Sequence, residues 1–210
     1  MDPKARLRLS YTMRLITPLL GSLLVASVAS AQDGPTPKGY PLSTDGTHLA
    51  SLQWDSVFVS RQTSETFLDG GAWGSYVMAE MGVIPIPDDL RFRVSVEPSH
   101  MELFGTIADL PLETRQVLAP ILGFFSPETS LIARIEMHRW NAEVIDLRLV
   151  SLAINGREFP ETALALFLAQ IGKQYPVLTE TGRNLRLEVP RTGLVELEAG
   201  GVRLRMVDRR

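Results

Sequence analysis

The chain has no cysteine. Disulfides, thiol nucleophiles, cysteine-ligated zinc, iron–sulfur clusters and lipid attachment to a lipobox cysteine are thereby excluded. Histidine is scarce as well. His48, His100 and His138 are the only three, and no two stand at metal-ligand spacing. There is no basic excess: 21 Lys and Arg oppose 24 Asp and Glu, for a net charge of −3. The usual mark of a nucleic-acid binder is therefore missing. No G-x-S-x-G elbow, P-loop, H-E-x-x-H or G-x-G-x-x-G occurs, and no motif implies a cofactor. These absences point away from an enzyme. A secreted hydrolase would need a nucleophile of unrecognised type.

What is present begins with an address. Lys4, Arg6, Arg8 and Arg14 precede an apolar or small stretch from Leu15 to Ala29, interrupted by Thr17 and Pro18. Ala29-Ser30-Ala31 has the small-x-small form of a cleavage site, so residues 1–31 are expected to be an export signal cut before Gln32. Met13 is an alternative start that leaves a shorter signal. The run is too short and too interrupted for a spanning helix, and no later segment reaches 18 unbroken apolar residues. A periplasmic or secreted product follows. Residues 32–47 are rich in Pro, Gly, Ser and Thr and read as a flexible leader. The remainder, 48–210, fits one domain.

Patterning within that domain predicts an α+β fold. Its core is a curved antiparallel sheet of about seven strands built from hairpins, with one or two helices against its concave face. Leu52–Val59 reads as a strand or extended lead-in, and 63–81 as a helix interrupted by glycines. Leu90–Val96 alternates strictly, and a turn at Pro98-Ser99 would place Val96 beside Met101 and Val94 beside Leu103. In the next hairpin a three-residue loop, Asn141 to Glu143, keeps apolar residues on one face. It sets Met137 beside Leu147, Ile135 beside Leu149, Glu136 opposite Arg148 and His138 opposite Asp146. A last hairpin is expected to turn at Gly200-Gly201, pairing Val195 with Met206 and Leu197 with Leu204. Residues 185–189 supply a strand just before it, expected to lie beside Val195–Glu198. Pro160 suits a helix start, and Leu164, Phe167, Leu168, Ile171 and Tyr175 make one stripe of a helix over 161–175. Leu166 lies off that stripe, so two covered faces are expected.

Candidate chemistry is sparse. His138 beside Asp146 fits a His–Asp catalytic pair, but also an exposed cross-strand ion pair, which sheets use commonly. His100 follows a turn and should be solvated. Asp88-Asp89 points its side chains to opposite sides if extended and fits a turn entering a strand. The basic tail, Arg203, Arg205, Arg209 and Arg210, reads as a solvated edge. Residues 112–125 are unusually apolar. They fit a helix and loop plugging one end of the core, or an apolar lip that contacts membrane or admits a ligand.

The order of elements, with the step Val-Ser-Leu-Ala-Ile-Asn-Gly-Arg-Glu-Phe-Pro (150–160) into an apolar helix and a final Gly-Gly hairpin, resembles small secreted bacterial proteins of the tubular lipid-binding (TULIP-like) type. The resemblance covers about 57–206 and rests on patterning. It implies a helix lying in a curved sheet with a lipid in the groove, and it brings no catalytic residues. On that basis the expected function is non-enzymatic binding or carriage of a hydrophobic small molecule or lipid. Phe92, Val94, Leu147, Leu149, Leu164, Phe167, Leu168 and Ile171 would line the groove. The rival is an envelope assembly module of the same fold with a filled core. The sequence leaves the oligomeric state and the ligand's identity open.

Overall fold

The computed structural model describes residues 38–88, 90–178 and 183–207. The expected export signal, Met13, the leader up to Pro37, Asp89, Arg209 and Arg210 lie outside the described residues. The folded unit starts at Lys38, ten residues earlier than the expected domain boundary.

The protein is α+β. Ten strands and four α-helices are described: β1 (Tyr40–Pro41), α1 (Thr44–Trp54), β2 (Glu65–Asp69), α2 (Gly70–Glu80), β3 (Arg93–Glu97), β4 (His100–Thr106), α3 (Leu112–Leu122), β5 (Ser130–Arg139), β6 (Val144–Ile154), β7 (Arg157–Glu158), α4 (Glu161–Gln174), β8 (Asn184–Glu188), β9 (Gly193–Glu198) and β10 (Gly201–Met206). Seven strands form one open antiparallel sheet in the order β1-β3-β4-β5-β6. β6 then pairs with β8 along its first half and with β7 at its end. A separate three-stranded sheet runs β2-β10-β9. Among the described residues no helix is long and apolar enough to cross a membrane.

The first two hairpins have the registers their alternation demands. Val96 faces Met101 and Val94 faces Leu103; Met137 faces Leu147, Ile135 faces Leu149, Glu136 faces Arg148 and His138 faces Asp146. One feature of β6 breaks the period. Arg134 pairs with Ser151 whereas Ile135 pairs with Leu149, so Val150 is an extra, bulged residue. The inward residues accordingly change parity, from Ile145, Leu147 and Leu149 to Leu152 and Ile154. A bulge bends its strand and increases the local twist.

Four expectations are corrected. Residues 52–59 are helical: α1 continues into one wide π-type turn over Asp55–Val59. Ala50, Val57 and Phe58 are buried at helical spacing, with Trp54 packed against them. The start of this helix lies in the supposed leader, where the Ser43 side chain accepts from the Gly46 N–H and caps it. The expected helix 63–81 is a strand followed by a helix, divided at Asp69, whose carboxylate caps the Ala72 N–H. The last hairpin is shifted by two residues. Ala199-Gly200 makes the turn, with Gly200 at φ +86°, and Val195 faces Leu204 while Leu197 faces Val202. A two-residue slip keeps every side chain on its own face. Ion pairs form on the diagonals of this register, Arg203–Glu198 at 2.6 Å and Arg205–Glu196 at 3.3 Å. Finally, β8 joins β6 of the large sheet, not β9.

The buried apolar residues fall into two clusters on the inner face of the large sheet. The first centres on Trp73 of α2. It takes Val96, Met101 and Ile145 from the large sheet, Leu68, Val202 and Leu204 from the small one, and the aromatic group Trp54, Phe58 and Tyr76. The second lies beyond the bulge. There Leu118 and Leu122 of α3 and Leu164, Phe167 and Leu168 of α4 cover Leu131, Leu152 and Ile154.

Candidate functional site

Between the two clusters the packing leaves an apolar cavity of about 250 Å³. Its floor is the inner face of the large sheet: Val94 of β3, Met101 and Leu103 of β4, Ala133 and Ile135 of β5, and Leu147 and Leu149 of β6. One wall is a single face of α2, where Trp73, Val77 and Met81 recur every four residues and Gly74 and Met78 sit beside them. The helix can lie this close because position 74 is glycine; a Cβ there would stand 2.7 Å from both Leu42 Cδ2 and Val94 Cγ2. The opposite wall is Phe167, Leu168 and Ile171 of α4, with Pro111 and Thr114 at the start of α3.

The lining is nearly devoid of polarity. Only Trp73, Thr114, Tyr175 and Arg183 contribute polar side-chain groups. The Trp73 indole N–H donates to the Met101 sulfur at 3.2 Å. Thr114 Oγ1 and the Tyr175 hydroxyl lie 3.1 Å apart. Arg183 pairs its Nη2 with Glu161 Oε1 at 2.5 Å, so its charge is countered at the rim. Among the described residues no three His, Asp or Glu side chains gather closely enough to hold a metal ion.

Seven of the eight residues expected to line a groove meet at this cavity: Phe92, Val94, Leu147, Leu149, Phe167, Leu168 and Ile171. Leu164 does not. It is 1% exposed and packs in the second cluster, one turn nearer the start of α4. Leu166 is 67% exposed, so α4 is covered on one face only. The α2 wall and the Thr114–Tyr175 pair were not anticipated. The 73/77/81 spacing was the available signal, obscured by the three glycines around it. Residues 112–125 form α3 and the turn after it. Thr114, Leu118 and Leu122 face inward, and Leu112, Val117, Phe124 and Phe125 are exposed.

The remaining candidates do not converge. His138 Nε2 contacts Glu136 Oε2 at 3.2 Å on the outer face. Its cross-strand neighbour Asp146 is buried beneath Asn184 and Arg186, the latter 3.6 Å away, and makes no bond to His138. The register was legible, but the third strand β8 supplies Asp146 with nearer partners. His100 is more enclosed than expected, 3.7 Å from Glu102 with its side chain 15% exposed. Asp88 lies exposed in a turn. No family model matches this chain, and none of the curated proteins or solved structures compared with it gives a match.

Proposed function

We propose that the protein binds a hydrophobic small molecule or lipid chain, without chemistry, in the cavity between α2, α4 and the large sheet. The observation that carries this is the cavity's size and lining together. An engineered apolar cavity of about 150 Å³ stays dry and takes up benzene; this one is larger. Without an occupant its apolar walls lack van der Waals partners on one side. An apolar occupant recovers those contacts. The export-signal pattern and the TULIP-like order of elements support a carrier that works outside the cytoplasm. The exposed apolar side chains of 112–125 offer it a place to meet a membrane.

The test is a pair of substitutions. Ala133→Leu projects a larger side chain into the cavity. It should abolish co-purifying lipid, detected by native mass spectrometry and extraction, while leaving the melting temperature equal or higher, as cavity filling does. Phe167→Ala should weaken lipid binding, and added lipid should restore part of its lost melting temperature. A wild type indifferent to every lipid class, with a Phe167→Ala variant beyond rescue, would instead establish a filled-core assembly module.

A further inference from the structure

The cavity's dimensions and the part-buried pair of hydroxyls in its lining say more about what it could hold. We propose that the ligand is a single alkyl chain of about eight carbons bearing a small uncharged hydrogen-bonding head, seated on Thr114 and Tyr175. This rests on the ligand-binding reading of the cavity.

Volume sets the enclosed part of the tail. At about 30 Å³ for each water-sized group, 250 Å³ accepts on the order of eight methylenes. A diacyl lipid of membrane length exceeds that several-fold. The lining sets the head. Thr114 is 3% exposed, and its hydroxyl and that of Tyr175 face each other across 3.1 Å. Two hydroxyls hold two protons and several lone pairs, and their mutual bond uses one of each. The pair therefore keeps a donor and acceptors for a third oxygen arriving along the cavity. Neither group is charged. An ionised head brought to them would lose its hydration without gaining a counter-ion. Arg183, the one cation of the lining, already faces Glu161 at 2.5 Å. A hydroxyl or ester head satisfies the pair; a carboxylate does not.

The experiment uses the purified protein and a homologous series of linear 1-alkanols, with n-octane, octanoate at pH 8 and vesicles of a diacyl phosphatidylcholine as further probes. Binding is read from tryptophan fluorescence and from the melting temperature. Trp73 is fully buried and lines the cavity, whereas Trp140 is 61% exposed and far less sensitive to occupancy. Affinity should rise about fourfold per methylene, the equivalent of burying one CH₂, and stop rising near eight to ten carbons. Octanoate should bind at least tenfold more weakly than 1-octanol. Thr114→Val, and separately Tyr175→Phe, should weaken 1-octanol three- to tenfold, the range of one neutral hydrogen bond, and leave n-octane unchanged. Either variant suffices if the other fails to fold. Tighter binding of octanoate, abolished by Arg183→Met, would overturn the neutral head. Undiminished gain beyond twelve carbons, or preference for the diacyl lipid, would overturn the single short chain. In those cases ligand binding itself stands. Failure of every probe, n-octane included, would remove the ligand-binding reading and this inference together.

Discussion

The cluster around Trp73 is packed between two sheets and a helix pair and opens only toward the cavity, whereas the cluster around Leu164 is roofed by two short helices that expose Leu112, Val117 and Leu166. Trp73, Val57, Val202 and Leu204 are fully buried. They are enclosed by the large sheet, the small sheet and the α1–α2 pair, with Trp54 and Tyr76 stacked at 5.1 Å above them. In the second cluster Leu118 and Leu164 are equally buried, but Val117 and Leu166 on the same helices are 41% and 67% exposed. Both clusters use one sheet, and the Val150 bulge falls between them. Helices on either side of a bend cannot both seat flush against it, and the cavity occupies the seam. The apolar space thus arises where a deeply buried core meets a thin cover.

The largest effects should separate the two regions. Trp73→Ala is expected to cost about 3–5 kcal/mol, a major share of a typical 5–15 kcal/mol, and to lower the single unfolding transition as a whole. Leu164→Ala should cost about 2–5 kcal/mol but act locally. Amide exchange should quicken in α3 and α4 while β9 and β10 keep their protection, as expected for a sub-global unit. Equal loss of protection in both regions of the Leu164→Ala variant would show that the two clusters are one cooperative core, and the contrast would fall.

Much of the large sheet was legible because alternation and charge agreed on one register in each of two hairpins. The bulge at Val150 was not foreseen, although the parity change from Leu147 and Leu149 to Leu152 and Ile154 carried its signal. What failed did so for physical reasons. Over 52–59 a short apolar run fits a helix as readily as a strand, and its cap, Ser43, hid in a stretch of turn-forming composition. In the last hairpin a two-residue slip changes no face, so only the turn chooses, and Gly200 with Ala199 made that choice. The cavity was legible only in part. Alternation states which side chains point inward, not whether they meet an atom or a space. That is why Phe167 lines the cavity and Leu164, on the same stripe, does not.

A smaller effect belongs to the first cluster alone. Burial chiefly, and then the Glu80 carboxylate with a lesser contribution from Asp55, raise the Tyr76 hydroxyl well above its ordinary value of 10.0. The folded-state value is raised, so the neutral hydroxyl contributes stability in full below pH 10, and that contribution is lost as pH climbs above it. Urea unfolding of wild type and Tyr76→Phe between pH 8 and 11 checks this. The wild type should lose stability past pH 10 and the variant should lose less. Identical alkaline limbs would place the alkaline sensitivity elsewhere.

The smallest effect should come from the outer face of the sheet, which neither cluster touches. Lys38 Nζ lies 2.7 Å from Glu102 Oε2, with the two side chains 59% and 22% exposed. The hydrogen bond from Lys38, aided by its charge and by His100 and Arg134, holds the Glu102 carboxyl below its ordinary value of 4.5. A depressed carboxyl stabilises the fold above its unfolded value, and the contribution disappears as pH falls through the folded one. Lys38→Met should therefore destabilise slightly at pH 7, by no more than about 1 kcal/mol for so exposed a pair. That is roughly 2–4 °C in melting temperature for a chain of this size. The difference should shrink in high salt, and melts of the two proteins should converge as pH falls through the lowered range of the Glu102 carboxyl. A loss at pH 7 as large as that from Leu164→Ala would mean that surface charge rivals buried packing here. The ordering of core, cover and surface would then have to be redrawn.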